Sequence, residues 1–342
     1  MKRLLSVALM FTVLIGSIFS MPCASIDEST AEDAKEEKEK IIRWVDFDVC
    51  AAALREGAAL DIDSHASEAP LSWVDLLAYY AMRHGGSFSS YKTGDLQKIA
   101  DTAHSEGKSV YQLGESSAQA KLFRYYRAAY GAVLDGMLGT YQRVLTEADS
   151  EQFCETEYGV CAFFPIAQGY SVGEYDDFGA ARSYGYRRRH LGHDMLGSVD
   201  TPICAVESGY VEALGWNQYG GWRIGIRSFD GKRYYYYAHL RKGAPYEDLY
   251  EGKVVHAGEV IGYLGMTGYS PKEDTNNIDT PHLHIGLELI FSPEQKDGYC
   301  QIWINFNELS HFLADYRSKT VCVAKGRHRA TSYLRSENCP QD

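Results

Sequence analysis

The sequence predicts an α+β protein, with a mainly helical N-terminal region followed by an antiparallel β-sheet domain. Three observations predict it. Within residues 119–146, Leu122, Tyr126, Ala129, Val133 and Met137 fall at offsets of 4, 7, 11 and 15, one face of a 3.6-residue period. After about residue 160 glycine becomes frequent, and short runs of branched and aromatic residues alternate with turn signals. Within those runs, histidines and an aspartate recur at spacings of two and four, the spacing that puts side chains on one face of a strand.

Taken in order, the chain opens with Lys2 and Arg3 before the apolar run "LLSVALMFTVLIGSIF". A basic segment followed by an apolar one is an export signal. Its length lies between a cleavable signal peptide and a short membrane anchor, so residues 1–24 are read as one or the other. Cys23 raises a third option, a lipid-bearing cysteine, which Pro22 immediately before it disfavours. Each option puts the rest of the chain outside the cytoplasm, secreted or held on the outer face of the membrane. Residues 25–42, including "IDESTAEDAKEEKEKI", are charged and poor in large apolar groups, as a solvated spacer is.

Residues 43–150 are expected to form a helical domain, to which the sequence assigns no role. "PLSWVDLLAYYAMRHGG" is a helix with both ends marked: Ser72 as N-cap with Asp75 three residues on, and Gly85-Gly86 as the stop. "GDLQKIADTAHSEG" is a shorter one. His65, His84 and His104 stand alone here, and a lone histidine is more often a surface or packing residue than a ligand.

Residues 160–315 carry the β domain. "PICAVESGYVEALG", "WRIGIRSFDGKRYYYYAHL", "KVVHAGEVIGYLG" and "HLHIGLELIF" are strand-like, and Asp230-Gly231 signals a hairpin turn. The tyrosines 234–237 are expected to alternate between core and surface. The polar, basic tail 316–342 has no assigned place.

The net charge is −12, and Arg187-Arg188-Arg189 is the one tight basic cluster, so nucleic acid is not expected as a partner. Eight cysteines suit an exported chain, and with Cys23 in the export segment seven remain. No CxxC pair exists, which argues against a cysteine-based zinc ribbon. Cys154 and Cys161, separated by a segment able to turn, are expected to form a disulfide, against the alternative of two reduced thiols.

The stretch "RRRHLGHDMLG" at 187–197 and "TPHLHIGLEL" at 280–289 hold the chemistry. If 190–194 is extended, His190, Gly192 and Asp194 share one face, and Leu191 and His193 the other. Gly192 then leaves room beside the ligands. His282 and His284 share a face with Leu283 turned inward, and His239 follows a third strand. Imidazoles and a carboxylate in this combination suit zinc. No HExxH helix is present.

These motifs resemble the lysostaphin-type (LytM-like) zinc endopeptidases. "HLGHD" matches the family's HxGxD motif and "PHLHIGLEL" its HxH motif. "TPICAVESGYV", "YYYYAHL" and "GKVVHAGEVIGYLGMTG" lie between them in the family's order, so the resemblance covers about residues 185–291. It implies that His190, Asp194 and His284 are ligands of a Zn2+ cofactor, and that His239 and His282 are the catalytic pair flanking the reacting water. It implies peptides of bacterial peptidoglycan, stem or crosslink, as substrate. Membrane attachment through the N-terminal segment would keep the chain near that substrate. The segment "YSPKEDTNNIDTP" is longer and more polar than the family's usual link before HxH, and is expected to wall the substrate groove. The competing reading is a catalytically silent, membrane-tethered scaffold or wall-binding protein on the same fold. Silent relatives typically lose ligands, whereas all five positions are kept here. A carbohydrate-binding module with a structural metal would need four closed ligands rather than three.

Overall fold

In a computed structural model of the protein, residues 42–45, 47–147, 150–183, 187–292, 295 and 300–340 are described. The expected export segment and all but the last residue of the spacer lie outside them. The first strand, β1 (Ile42–Val45), leads into five helices: α1 (Ala51–Ser64), α2 (Trp73–His84), α3 (Asp95–Ser105), α4 (Val110–Glu115) and α5 (Ala120–Leu134). The caps read from the sequence close α2: the Ser72 hydroxyl accepts from the Asp75 amide at 3.3 Å, and Gly85 takes φ +63° at the C-terminus. Leu76, Leu77, Ala78 and Ala81 of α2 are fully buried. Burying each leucine contributes about 1.5–3 kcal/mol. Two of the lone histidines pack on tyrosines, His84 on Tyr80 at 4.1 Å and His65 on Tyr158 at 3.5 Å, and His104 is exposed.

The periodic window at 119–146 divides in two. Leu122, Tyr126, Ala129 and Val133 lie on α5, which stops before Asp135. Gly136 follows at φ +111°, and a Cβ there would stand 2.5 Å from the Arg233 guanidinium, so only glycine makes this turn. Leu138–Glu147 is then a strand, β2, paired with β3 (Ser150–Val160). A register shift between Gln142 and Val144 puts both Tyr141 and Val144 inside. That bulge turns a period of two into an apparent period of three, which reads as helix.

The remaining strands are β4 (Gly173–Tyr175), β5 (Ala181–Arg182), β6 (Arg188–Arg189), β7 (His193–Leu196), β8 (Pro202–Cys204), β9 (Gly209–Asn217), β10 (Gly221–Ser228), β11 (Arg233–Ala238), β12 (Val254–Val255), β13 (Val260–Tyr263), β14 (His282–Leu289) and β15 (Gln301–Ile304). Helix α6 (Asn307–Leu313) follows, then β16 (Thr320–Ala324), β17 (Arg327–Ala330) and β18 (Ser332–Ser336). The protein is therefore α+β, and its main sheet runs β1-β15-β14-β11-β10-β9-β12. Its pairings are antiparallel except β1 with β15. Strand β14 is shared: β11 lies along one side, while β7 pairs its first half and β15 its second half on the other. One face of this sheet is core, where Leu283, Ile285, Tyr235, Tyr237 and Ile224 are fully buried. Its opposite face lines a groove.

The tail is structured. β18 pairs with β2, and Leu334 joins Tyr141, Cys161, Phe163 and Ala257 in a small apolar cluster. The expected Cys154–Cys161 disulfide is absent. Both residues lie on β3, seven positions apart, which is about 23 Å of extended chain, whereas a bridge needs Cα atoms within about 7 Å. Cys50, Cys154, Cys161, Cys204, Cys300 and Cys322 are free thiols.

Candidate metal centre

Strand β14 presents His282 and His284 on its groove face and turns Leu283 into the core, the alternation its sequence demands. Strand β7 pairs with it so that Asp194 lies opposite His284 and His193 opposite Ile285. His190 arrives differently from the expectation. Residues 190–194 are not one extended run, because β7 starts only at His193. Backbone bonds from the His190 amide to the Ala180 carbonyl (2.8 Å) and from the Gly179 amide to the His190 carbonyl (2.7 Å) place His190 instead.

The outcome is a tight triangle. His190 Nε2 stands 2.9 Å from His284 Nδ1 and 3.1 Å from Asp194 Oδ1, and His284 Nδ1 stands 3.0 Å from the same oxygen. Three donor atoms spaced in this way suit one ion about 2.0–2.2 Å from each. The tautomer of His190 agrees. Its Nδ1 lies 2.6 Å from Asp177 Oδ1, which can accept an N–H there and leave Nε2 with a lone pair toward the centre. Burial alone would raise the Asp194 carboxyl, but the His190 and His284 rings hold it well below the usual carboxylate range. Burial, and next the His190 ring, lower the His284 imidazole against the pull of Asp194. Neutral imidazoles and an ionised carboxylate are the forms in which these groups bind zinc.

Gly192 is needed beside this triangle. A Cβ there would lie 2.4 Å from the His284 ring and 2.7 Å from the Ile285 carbonyl oxygen. The space that glycine leaves is therefore beside the His284 ring and the Ile285 backbone.

His239 and His282 stand on the groove side. His239 follows the end of β11 at φ +61°, a left-handed conformation that turns its ring out of the strand. Its Nδ1 lies 2.9 Å from the Thr267 carbonyl oxygen, and His282 Nδ1 lies 2.8 Å from that of Thr280. With both Nδ1–H groups donated to backbone, both Nε2 atoms are left for chemistry. The two ring centroids are 4.7 Å apart, and His282 Nε2 is 3.8 Å from Asp194. Burial, then the neighbouring His282 and His284 rings, push the His239 imidazole well below its ordinary range.

The groove has a volume of about 1310 Å³. The inserted segment forms part of its wall through Tyr269, Asn277, Ile278 and Asp279. Asp274 ties that segment down by accepting from Trp222 Nε1 and the Gly243 amide, both at 2.8 Å. The four tyrosines alternate as expected: Tyr235 and Tyr237 are core, and Tyr234 and Tyr236 line the groove.

Sequence reading missed Asp177 and Arg182. Asp177 bridges the Arg182 guanidinium and His190, and Arg182 also reaches Asp194 at 3.5 Å. No spacing rule links Asp177 to a histidine 13 residues on, since the contact is tertiary. Asp177→Asn is expected to weaken zinc binding by about 10–100-fold, as loss of an orienting partner does. Competition against a chromophoric chelator measures it, and unchanged affinity would remove Asp177 from the site.

His193 lies on the reverse side of β7, nearly fully buried, with Nε2 4.0 Å from Glu174 and no hydrogen-bond partner among the described residues. Burial lowers its imidazole, with Glu174 opposing. The unfolded chain takes up this proton near pH 6.5 while the folded chain resists it, so stability falls as pH drops below about 6.5. His193→Gln is expected to keep its zinc and to flatten that acid-side loss in urea unfolding at pH 7.5 and 5.5. Loss of metal from this variant would contradict the placement.

Comparison with known proteins gives a family match over the residues of this site. The model of peptidase family M23 matches residues 188–296, which hold all five histidine and aspartate positions. The chain is 33% identical over 178 residues to the L-Ala–D-Glu endopeptidase of Bacillus subtilis, covering 52% of this chain and 50% of that protein. It is 38% identical over 96 residues to lysostaphin of Staphylococcus simulans, covering 28% of this chain and 17% of that one. The chain thus spans about half or less of the length of these relatives. A crystal structure of a candidate glycyl-glycine endopeptidase lytM from Ruminococcus gnavus shares the fold, with a TM-score of 0.51 at 22% identity over 79% of this chain and 89% of that one. The likeness to peptidase family M23 therefore lies in residues 188–296, which its model matches.

Proposed function

We propose that the protein is an exported zinc metalloendopeptidase that hydrolyses peptide bonds in bacterial cell-wall peptidoglycan, in stem or crosslink peptides. The observation that carries this reading is the convergence of His190 Nε2, Asp194 Oδ1 and His284 Nδ1 within 2.9–3.1 Å, with His239 and His282 beside them in one groove. His190, Asp194 and His284 would hold the zinc. A zinc ion there would act as a Lewis acid, easing deprotonation of water and polarising the scissile carbonyl.

The chain's own residues supply the rest. His239, kept neutral by burial, takes a proton at Nε2 as general base. Thr267 fixes its tautomer by accepting from Nδ1. His282, whose ring is fixed through the Thr280 carbonyl, would, as an imidazolium, donate its second N–H, at Nε2, to the oxygen on which charge develops. The groove holds the peptide extended along β14. The relative named above for an L-Ala–D-Glu bond supports a peptide of the wall as substrate.

Digestion of purified peptidoglycan, with new termini identified by mass spectrometry, tests the reading. One defined new amino terminus, lost on chelation and restored by zinc, is the expected result. No new terminus from any wall type would overturn it.

A further inference from the structure

The groove does not end at the histidines. On β14 the groove face continues past His284 through Gly286 to Glu288, four residues and about 13 Å further on. Glu288 is 3% exposed, yet its Oε1 has no hydrogen-bond partner among the described residues. Across the neighbouring strands Glu288 pairs with Tyr234 and with Trp303, and Tyr234 pairs in turn with Arg227.

Arg227 is 6% exposed. Its Nε and one Nη are committed to Glu212 at 2.8 and 2.6 Å, and the guanidinium lies 5.0 Å from the centre of the Tyr234 ring. Among the described residues its other Nη has no partner, nor do Arg223 Nε or Trp303 Nε1. All four of these residues line the same groove.

Buried polar atoms without partners are costly, so a fold that keeps an acceptor and three donors in four residues lining one groove is shaped for something that satisfies them. The floor agrees. Gly225 and Gly286 have no room for a Cβ, because the Tyr234 hydroxyl and the Trp303 ring lie 1.9 and 2.5 Å from where it would be. The two aromatic groups are thereby laid over the strands, making a flat floor between the acidic and basic groups. Burial raises the Glu288 carboxyl to about 7 despite Arg227, so an arriving cation would draw it into its charged form.

We propose that this far end of the groove is a second recognition subsite, for a peptide side chain that carries both an ammonium and a carboxylate group. Glu288 takes the ammonium, and Arg227 and Arg223 take the carboxylate. The subsite deepens the peptidase reading and rests on the groove holding a peptide: it reads a residue about four positions from the bond cleaved. Glu212 keeps Arg227 in place.

Calorimetric titration of the zinc-loaded protein tests it with short peptides that differ in one side chain, scanned over successive positions. That side chain carries an ammonium and a carboxylate on its last carbon, an ammonium alone (lysine), a carboxylate alone (glutamate), or neither (norleucine). The doubly charged peptide is expected to bind at least tenfold more tightly than the norleucine peptide. Glu288→Gln, which keeps the shape of the side chain, should remove the gain from the ammonium and leave that from the carboxylate. Arg227→Met should do the reverse, and Arg223→Lys provides a milder variant if Arg227→Met does not fold. Equal binding of all four peptides, or binding of none, overturns the subsite. Cleavage of the same peptides is followed separately. Selective binding without cleavage would support the subsite and count against the peptidase, while cleavage with uniform binding would do the opposite.

Discussion

Replacing His284 with alanine is expected to strip the zinc and to reduce wall hydrolysis by more than about a thousandfold. Loss of a mere orienting partner already costs about 10–100-fold in metal affinity, and His284 is placed as a ligand. Its Nδ1 lies within 3.0 Å of both other donor atoms. The ring is also wedged in place, with the Gly192 backbone against it and the Tyr236 ring edge-on at 5.9 Å. Zinc content after gel filtration and the rate of peptidoglycan clearing measure the two effects. A variant that keeps a full equivalent of zinc would show that the triangle is not the metal site.

His239→Ala should behave in the opposite way toward the metal. Hydrolysis is expected to fall by about 10²–10⁴-fold, the usual contribution of a general base, with most of the zinc retained. The pH profile separates this role from a structural one. His239 must be neutral to accept a proton, and burial holds its imidazole below the ordinary range. The acid limb of kcat/KM should therefore lie below about pH 6.5 in the native protein and be absent from the residual activity of the variant. Loss of zinc as complete as in His284→Ala would contradict the division of roles.

The two β14 histidines were legible because a strand with one buried face enforces a period of two, and Leu283 between them marks that face. His190 and Asp194 were legible as a spacing but not as a conformation. The chain is extended only from His193, and contacts with Gly179 and Ala180 do what strand alternation was expected to do. Asp177 and Arg182 were invisible because nothing local ties them to the motif. The same holds for the tail, whose β18 finds its partner in β2, nearly two hundred residues earlier. The strand at 138–147 was hidden for a different reason, since its bulge gives it nearly the spacing of a helix face. The subsite around Glu288 left no motif at all. Glu212, Arg223, Arg227 and Trp303 come from three strands and meet Glu288 only when the sheet forms.

In the proposed function one zinc ion is held by His190, Asp194 and His284. Metal analysis of protein purified without added metal, alongside His190→Gln, Asp194→Asn and His193→Gln, tests it most directly. Close to one equivalent of zinc is expected in the native protein and in His193→Gln, and little in the other two. Native protein that carries no metal and takes up none when zinc is added, or a His193→Gln variant that loses zinc while His190→Gln keeps it, would contradict it.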